Sequence, residues 1–204
     1  MNRYLKFIFI GIFLLVSFLL VSCNEKVYKI VIDKKNPIEY IFKTPKDSLY
    51  KTISLKYDFL GLSIMTLKNR NIIPPEIYEL LKQENNNKDI FLWSIGKFWK
   101  SRIYKNSDGE FFDYDVSFYL HLEKVDENNT KVTVKTIEPE IIIGNELLPS
   151  LPHMVRKYKK ITVEPSTIEE YEILIEIGKR IGEKDMPQLI LTSENSRIEI
   201  VKRK

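Results

Sequence analysis

The chain is poor in the residue types that build disulfides, metal sites and phosphate-binding loops. Among its 204 residues are one cysteine and two histidines, His121 and His153, which lie far apart in the sequence. A lone cysteine forms no internal disulfide, and structural zinc normally needs several such ligands. The seven glycines are scattered singly, so no glycine-rich loop is available to hold a phosphate group. We therefore predict no metal and no cofactor, and we expect packing alone to stabilise the fold.

An excess of charge of one sign is also missing from most of the chain. The full sequence carries 32 basic and 28 acidic side chains, and the first 22 residues contain Arg3, Lys6 and no acid. The remainder therefore has 30 basic and 28 acidic groups, a formal charge of +2. Such a nearly neutral chain lacks the basic character that is typical of nucleic-acid binding, and we expect no nucleic-acid partner.

The longest apolar stretch lies at the start of the chain. Phe7 to Val21 contain no charged residue and follow the basic residues Arg3 and Lys6. A basic start, an apolar stretch of about 15 residues and a small residue before the cleavage point are typical of a secretory signal peptide. An uncleaved anchor helix stays open as the alternative, because the run counted from Leu5 approaches the roughly 20 residues that span a bilayer.

The apolar run ends in the motif Leu20-Val21-Ser22-Cys23. This motif resembles the lipobox of bacterial lipoproteins, which has a branched apolar residue, a small residue and then the cysteine. The resemblance implies a diacylglycerol group in thioether linkage to Cys23, cleavage before Cys23 and acylation of the new amino terminus. Ser22 stands where glycine or alanine is commoner. Several acyl chains hold a protein on a bilayer firmly, whereas one holds it weakly.

The motif predicts how the chain is divided and where it resides. We expect a signal peptide over residues 1–22, a lipidated cysteine with a short tether over 23–26, and a single α+β domain over 27–204. A tether of three residues reaches about 10 Å, so the domain should sit next to the bilayer. The predicted location is the bacterial cell envelope, outside the cytoplasm. Asn24 is not the aspartate that retains some lipoproteins at the inner membrane, which favours the outer membrane.

Two basic stretches lie in the predicted domain. They are Arg156 to Lys160 and the tail Lys202 to Lys204. We interpret both as solvated surface. Contact with anionic headgroups is the alternative, because each basic residue near such a surface contributes about 1 kcal/mol.

The sequence from Glu110 onward predicts antiparallel sheet. Apolar residues occupy every second position of a long run, which predicts a strand with one buried face. Helices are predicted after Thr44-Pro45, from Pro74-Pro75, and between Ser166 and Gly182, where Ser166 and Glu169 match a capping box. Residues 188–201 are predicted to form a terminal hairpin.

These elements predict an α+β fold. An antiparallel meander would pack against a long C-terminal helix, with two shorter helices near the start and the terminal hairpin at the end. The order from Val27 to Gly182 resembles the helix-grip fold of START-like lipid-binding proteins. That resemblance implies a curved sheet around the long helix, with an apolar cavity between them.

Aromatic and aliphatic residues of two predicted strands are the candidate walls of such a cavity. They are Trp93, Trp99, Phe112, Tyr114, Val116, Phe118 and Leu120. The same residues would form a solid core in the absence of a cavity.

No catalytic set is predicted. Ser117 and His121 share the polar face of one strand with Asp113 and Asp115, but residues four apart on a strand are separated by about 13 Å. A nucleophile and its base need about 3 Å. The two aspartates lie about 6.6 Å apart, near the spacing of glycosidase carboxylates, but any acidic pair two residues apart on a strand has this spacing.

The sequence therefore predicts a non-enzymatic envelope lipoprotein, which binds an apolar ligand or an envelope protein near the membrane. A structural or assembly lipoprotein without a small-molecule site is the first alternative. A hydrolase with residues drawn from several strands is the second. The only site with a specific chemical signature is Cys23, through which membrane lipid is the expected partner.

Overall fold

A computed structural model describes residues 26–54, 58–60, 62–65, 79, 90–93, 99–150, 153–190 and 196–201. The predicted signal peptide and Cys23 lie outside these ranges, and so does nearly all of the second helix predicted from Pro74-Pro75. Within the described residues, no helix is long and apolar enough to cross a bilayer.

Strands dominate the described part of the chain. They are β1 (Tyr28–Ile32), β2 (Glu39–Phe42), β3 (Asp58–Phe59), β4 (Leu62–Met65), β5 (Ile90–Trp93), β6 (Trp99–Lys105), β7 (Phe111–Lys124), β8 (Thr130–Ser150), β9 (His153–Thr162) and β10 (Ser196–Ile200). The described helices are α1 (Lys46–Ser54) and α2 (Ile168–Ile181). All ten strands belong to one antiparallel sheet.

β7 and β8 form the middle of this sheet and pair antiparallel along most of β7. On the side away from β8, β7 pairs with β6 near its start and with β5 near its end. β4 pairs with β5, and β3 pairs with β4. On the side away from β7, β8 pairs with β2 near its start and with β9 near its end. β1 joins β6, and β10 lies at the edge beyond β1.

The predicted alternation of β7 is confirmed. Its even-numbered residues from position 112 to position 122 are all buried, with at most 8% of each exposed: Phe112, Tyr114, Val116, Phe118, Leu120 and Leu122. The odd-numbered residues between Asp113 and His121 are partly exposed, except Tyr119 at 2%. One face of β7 therefore belongs to the core.

The two helices cover this buried face. Leu49 and Ile53 of α1 are fully buried, and α2 contributes its own buried apolar residues: Ile168, Tyr171, Ile173, Leu174 and Ile177. These side chains and the even-numbered residues of β7 form one hydrophobic cluster.

Local chemistry sets the ends of α2. The Oγ atom of Ser166 accepts a hydrogen bond from the backbone N–H of Ile168 at 2.9 Å, and the Ser166 hydroxyl donates to the carboxylate of Glu169. At the other end, Gly182 adopts a φ of 79°, and its N–H points to the carbonyls of Gly178 and Lys179. Glycine adopts this left-handed conformation without strain, so it ends the helix.

The predicted α+β class with a long C-terminal helix is wrong. The structure is mostly antiparallel β: β8 alone has 21 residues, whereas α1 and α2 have 9 and 14. Two features enlarge the sheet beyond the prediction. β8 continues through Pro139, and β1, β2 and β10 join the sheet from distant parts of the sequence.

Pro139 lies inside β8, although proline is normally confined to strand ends, edges and bulges. The register with β7 shifts between Asp115 and Ser117, and Glu138 has a φ of 45°, as in a β-bulge. A bulged residue has no ladder partner, so the missing N–H of proline leaves no hydrogen bond unmade. The Pro139 carbonyl accepts a hydrogen bond from the backbone N–H of Val163 at 2.9 Å.

The predicted terminal hairpin is also wrong. β10 pairs with β1, and residues 183–190 form no strand. This segment is held by Asn36, whose side-chain amide donates to the Ile190 carbonyl at 2.9 Å and accepts from the Ile190 N–H at 2.8 Å. Asn36 is 4% exposed, so this exchange replaces the strand pairing that the hairpin would have supplied.

We expect Leu120→Ala to lower the free energy of unfolding by about 2–5 kcal/mol, because it opens a cavity in the core. Urea unfolding followed by tryptophan fluorescence measures the change. Val125→Ala is the control, because Val125 is 51% exposed and truncation there should cost less than about 0.5 kcal/mol. Equal losses for the two variants would contradict the described core.

Candidate functional site

Both ends of the described chain meet at one end of the sheet, which we call the N-terminal end. Tyr28 of β1 lies opposite Lys105, the last residue of β6, and opposite Ile200, the last residue of β10. The N–H of Val201 donates to the carbonyl of Val27 at 2.7 Å. Lys105 in turn lies opposite the first residue of β7, so the N-terminal end is also the end at which β7 starts.

A groove of about 720 Å³ opens at this end, between β9 and the pair formed by β1 and β10. We call it the N-terminal groove. Its apolar lining comes from β6, β8, β9, β10 and the residues that follow β9 and β10: Tyr104, Ile143, Ile161, Val163, Ile200 and Val201. Thr162 and five charged residues complete the lining, the charged ones being Lys29, Lys159, Lys160, Glu164 and Glu199.

Glu164 ties the charged part of the groove to its apolar wall. Its carboxylate accepts a hydrogen bond from Lys29 Nζ, and this contact holds the pKa of Glu164 below its ordinary value. Its backbone N–H donates to Tyr104 Oη at 3.0 Å, and the same hydroxyl lies 3.2 Å from the Glu164 carbonyl oxygen. Burial raises the pKa of Tyr104 to about 12, so its hydroxyl stays neutral.

The two lysines at the end of β9 differ in their partners. Lys160 Nζ lies 2.5 Å from a carboxylate oxygen of Asp115 and 2.9 Å from one of Glu140. Partial burial lowers the pKa of Lys160, but these two carboxylates outweigh it and raise the pKa overall. Lys159 is exposed, and the described residues provide it with no ion pair. Its ammonium group is therefore free to meet a ligand.

This arrangement suits an amphipathic ligand. The aliphatic wall excludes water from an apolar chain, and the Lys159 ammonium can pair with an anionic head group at the rim. A largely apolar lining with a few placed polar groups is typical of small-molecule sites.

A second groove, of about 570 Å³, lies between α2 and the sheet. Trp99 of β6 and Ile175 of α2 supply apolar surface, and Leu60 and Leu189 add to it. Across it, Arg102 donates to Glu172 at 3.1 Å. Both grooves are open to solvent.

Two adjacent glutamates lie buried where the first turn of α2 meets the inner face of the sheet. Glu169 and Glu170 are only 1% and 2% exposed. Ser166 donates to Glu169, and Thr136 of β8 donates to Glu170. Within the described residues, the second carboxyl oxygen of each glutamate has no hydrogen-bond partner.

Burial dominates the acid–base behaviour of this pair. It raises the pKa of Glu169 to about 7, with a smaller contribution from the charge of Glu170. It also raises the pKa of Glu170, although the hydrogen bond from Thr136 opposes the shift. Tyr114 faces both groups, and burial followed by their charges raises its pKa as well. With so little of either carboxyl group exposed, a substrate does not reach the pair in this structure.

The structure does not bring together the residues that were considered for the hydrolase alternative. Asp113 pairs with Lys100 at 2.5 Å, and Asp115 pairs with Lys160. The ring of His121 stacks on Tyr119, with ring centroids 6.4 Å apart. His121 and Ser117 line neither of the two grooves described above.

The residues predicted as cavity walls lie in different parts of the structure. Trp99 lines the second groove and packs on Phe118, with ring centroids 5.8 Å apart. The β7 residues predicted as walls lie in the hydrophobic core and line neither groove: Phe112, Tyr114, Val116, Phe118 and Leu120. Trp93 is the last residue of β5, and its side chain lies outside the described residues.

Sequence reasoning missed most residues of the N-terminal groove. The alternation of Ile161 and Val163 predicts a strand there, but it does not predict which other strand they face. The groove forms because β1 and β10, from opposite ends of the chain, meet opposite β9. No short-range signal specifies that meeting.

The described residues contain no group of three or more histidine, cysteine or acidic side chains that could hold a metal ion. No protein-family model, no curated protein and no solved structure matches this chain. The chemistry of the site therefore has to be argued from its own residues.

We expect the stability of the protein to fall as the pH rises from about 4.5 to about 7. The folded state keeps a proton on Glu169 up to about pH 7, whereas the unfolded chain releases it near 4.5. The folded state therefore binds more protons in this window, and the linkage slope is negative.

Glu169→Gln should remove the part of this dependence that Glu169 contributes, because the amide stays neutral at every pH. We expect the variant to gain about 1–3 kcal/mol at pH 8 and to match the parent protein at pH 4. Thermal unfolding across this pH range measures the difference. Glu183→Gln, at a partly exposed position after α2, is the control. A gain for Glu169→Gln that is the same at pH 4 and pH 8 would contradict a proton held on Glu169 in the folded state.

Proposed function

We propose that this chain is a bacterial envelope lipoprotein, held on a membrane by acyl chains on Cys23, whose domain binds an amphipathic ligand in the N-terminal groove. It binds without catalysis and acts outside the cytoplasm, at the outer membrane in preference to the inner one. The proposal depends on one observation: the groove opens at the end of the sheet where Lys26 lies, three residues after Cys23 in the sequence.

The position and the lining of the groove support this proposal together. A tether of three residues keeps the N-terminal end of the sheet within about 10 Å of the anchor. An apolar chain that leaves the bilayer would therefore meet the aliphatic wall of the groove first. The exposed Lys159 at its rim matches the negative charge of a phosphate or carboxylate head group.

A structural or assembly lipoprotein is the second candidate. β10 pairs with β1 alone within the described residues, so its other edge is open. Ile198 and Ile200 on this strand are 61% and 59% exposed. An open edge with exposed apolar residues can accept an added strand from a protein partner.

We expect Cys23→Ser to abolish both acylation and cleavage, because serine lacks the sulfur atom to which the diacylglycerol group is attached. Intact-mass measurement of protein extracted from membranes should show residues 23–204 plus acyl chains for the parent chain, and residues 1–204 for the variant. Ser22→Gly is the control and should be processed normally. An unmodified parent chain would contradict the anchor.

We expect Ile200→Glu to reduce the amount of co-purifying ligand by about tenfold, because it replaces apolar surface in the wall of the groove with a carboxylate. Native mass spectrometry of protein extracted in mild detergent measures the bound fraction. Ile198→Glu is the matched control, because it lies two residues away on the same strand, is equally exposed and does not line the groove.

The same spectra distinguish the two candidate functions. Loss of an amphipathic molecule in Ile200→Glu alone supports ligand binding in the groove. Equal retention of the ligand by both variants would show that the groove is not its site. A stoichiometric protein partner that both variants lose would favour the assembly role at the β10 edge.

A further inference from the structure

The end of β8 and the start of β9 extend beyond the rest of the sheet as a two-stranded ribbon, residues 144–150 and 153–159. From Gly144 onward β8 pairs with β9 alone, because its pairing with β7 stops at Ile142. Seven residues of strand give the ribbon a length of about 23 Å. Ile142 lies opposite Asp113, near the start of β7, so the ribbon leaves the sheet at its N-terminal end.

The ribbon is basic, whereas the turn at the opposite end of the sheet carries two acids. Arg156, Lys157 and Lys159 are exposed, and the described residues form no ion pair with any of them. Glu146, opposite Lys157 in the register, is the only acid on the ribbon. The turn at residues 125–129, which joins β7 to β8 at the far end, carries Asp126 and Glu127.

Exposed apolar and aromatic side chains lie between these basic residues. Leu147 and Val155 are 56% and 50% exposed, and Tyr158 is 37% exposed. Basic residues interleaved with apolar and aromatic ones are typical of segments that lie in the interface of an anionic bilayer. The stems of lysine and arginine can follow the apolar surface while their charges reach the headgroups.

Three parts of the chain converge on the same end. Lys26, three residues after Cys23, lies there at the start of the described chain. Val201 lies there too, and the sequence continues from it directly into Lys202-Arg203-Lys204. The ribbon is the third part.

From this convergence we infer that the ribbon is a second membrane contact, which docks on anionic lipid headgroups and orients the domain on the bilayer. The inference rests on the proposed anchor at Cys23, which brings this end of the sheet to the membrane. Docking holds the N-terminal groove against the bilayer, because Lys159 belongs to both the ribbon and the groove lining.

Charged side chains on an edge strand also discourage pairing with other chains. That role would be served by charges at any position along β9 and would not depend on lipid composition. Dependence on anionic lipid is therefore the property that separates docking from edge protection.

The test places one fluorescent label on the full-length, acylated protein in vesicles that contain a headgroup-attached quencher. Asn145→Cys puts the label on the ribbon, and Asn128→Cys puts it on the turn at the far end. Both parent asparagines are exposed, and neither side chain forms a hydrogen bond within the described residues. The acylated sulfur of Cys23 does not react with the label, so each variant carries one reactive thiol.

In vesicles with phosphatidylglycerol, we expect the fluorescence of the label at 145 to be quenched and that of the label at 128 to remain. The loss at 145 should shrink in vesicles of phosphatidylcholine alone and in high salt, because screening weakens attraction between charges. Equal quenching at the two positions would overturn the inference. Quenching at 145 that is independent of lipid charge and salt would overturn it as well.

Charge variants supply the second part of the test. Arg156→Gln, Lys157→Gln and Lys159→Gln, combined, should reduce the docked population by about fivefold for each charge removed. The matched control combines Lys43→Gln, Lys51→Gln and Lys184→Gln, three exposed lysines on other elements. An unchanged signal in the ribbon variant, or an equal loss in the control, would overturn the inference.

Mass spectrometry of the same samples reports whether Cys23 carries acyl chains. An acylated protein whose ribbon label escapes quenching would contradict the ribbon contact and leave the anchor standing. A protein without acyl chains would contradict the anchor itself.

Discussion

The ladder between β7 and β8 is the interaction on which the rest of the structure depends. β7 presents apolar residues to one side at every second position, and β8 pairs with it along most of its length. Every other strand of the described sheet is linked to one of these two strands, either directly or through one or two intervening strands. Both helices pack on the buried face of this pair, since an amphipathic helix is stable only where its apolar side is covered.

That ladder also explains the polarity of the molecule. β8 is longer than β7, and its surplus length projects from one end as the ribbon. β1 and β10 reach the sheet at the same end, and their meeting with β9 leaves the N-terminal groove. The ribbon and the groove at this end thus result from strands of unequal length in one sheet. The proposed anchor and the ribbon would both contact the bilayer at the N-terminal end of the sheet.

The buried pair Glu169 and Glu170 departs from what stability alone favours. Two carboxyl groups lie in the first turn of α2, where the helix dipole suits negative charge, yet the surrounding sheet excludes water from them. Hydrogen bonds from Ser166 and Thr136 satisfy one oxygen of each. Burial of this pair raises the pKa of both carboxyl groups and so couples the stability of the fold to pH.

The amino-acid sequence by itself determined the features that depend on near neighbours. The alternation of β7 and the stop of α2 at Gly182 are both contained in short stretches, where periodicity or glycine conformation acts directly. Only the tertiary structure decided that the fold is mostly β, that β8 passes through Pro139 at a bulge, and that β10 pairs with β1. Those outcomes depend on pairing between segments far apart in the chain. Every strand offers the same backbone N–H and C=O groups, so the local sequence of a strand does not specify which other strand it pairs with.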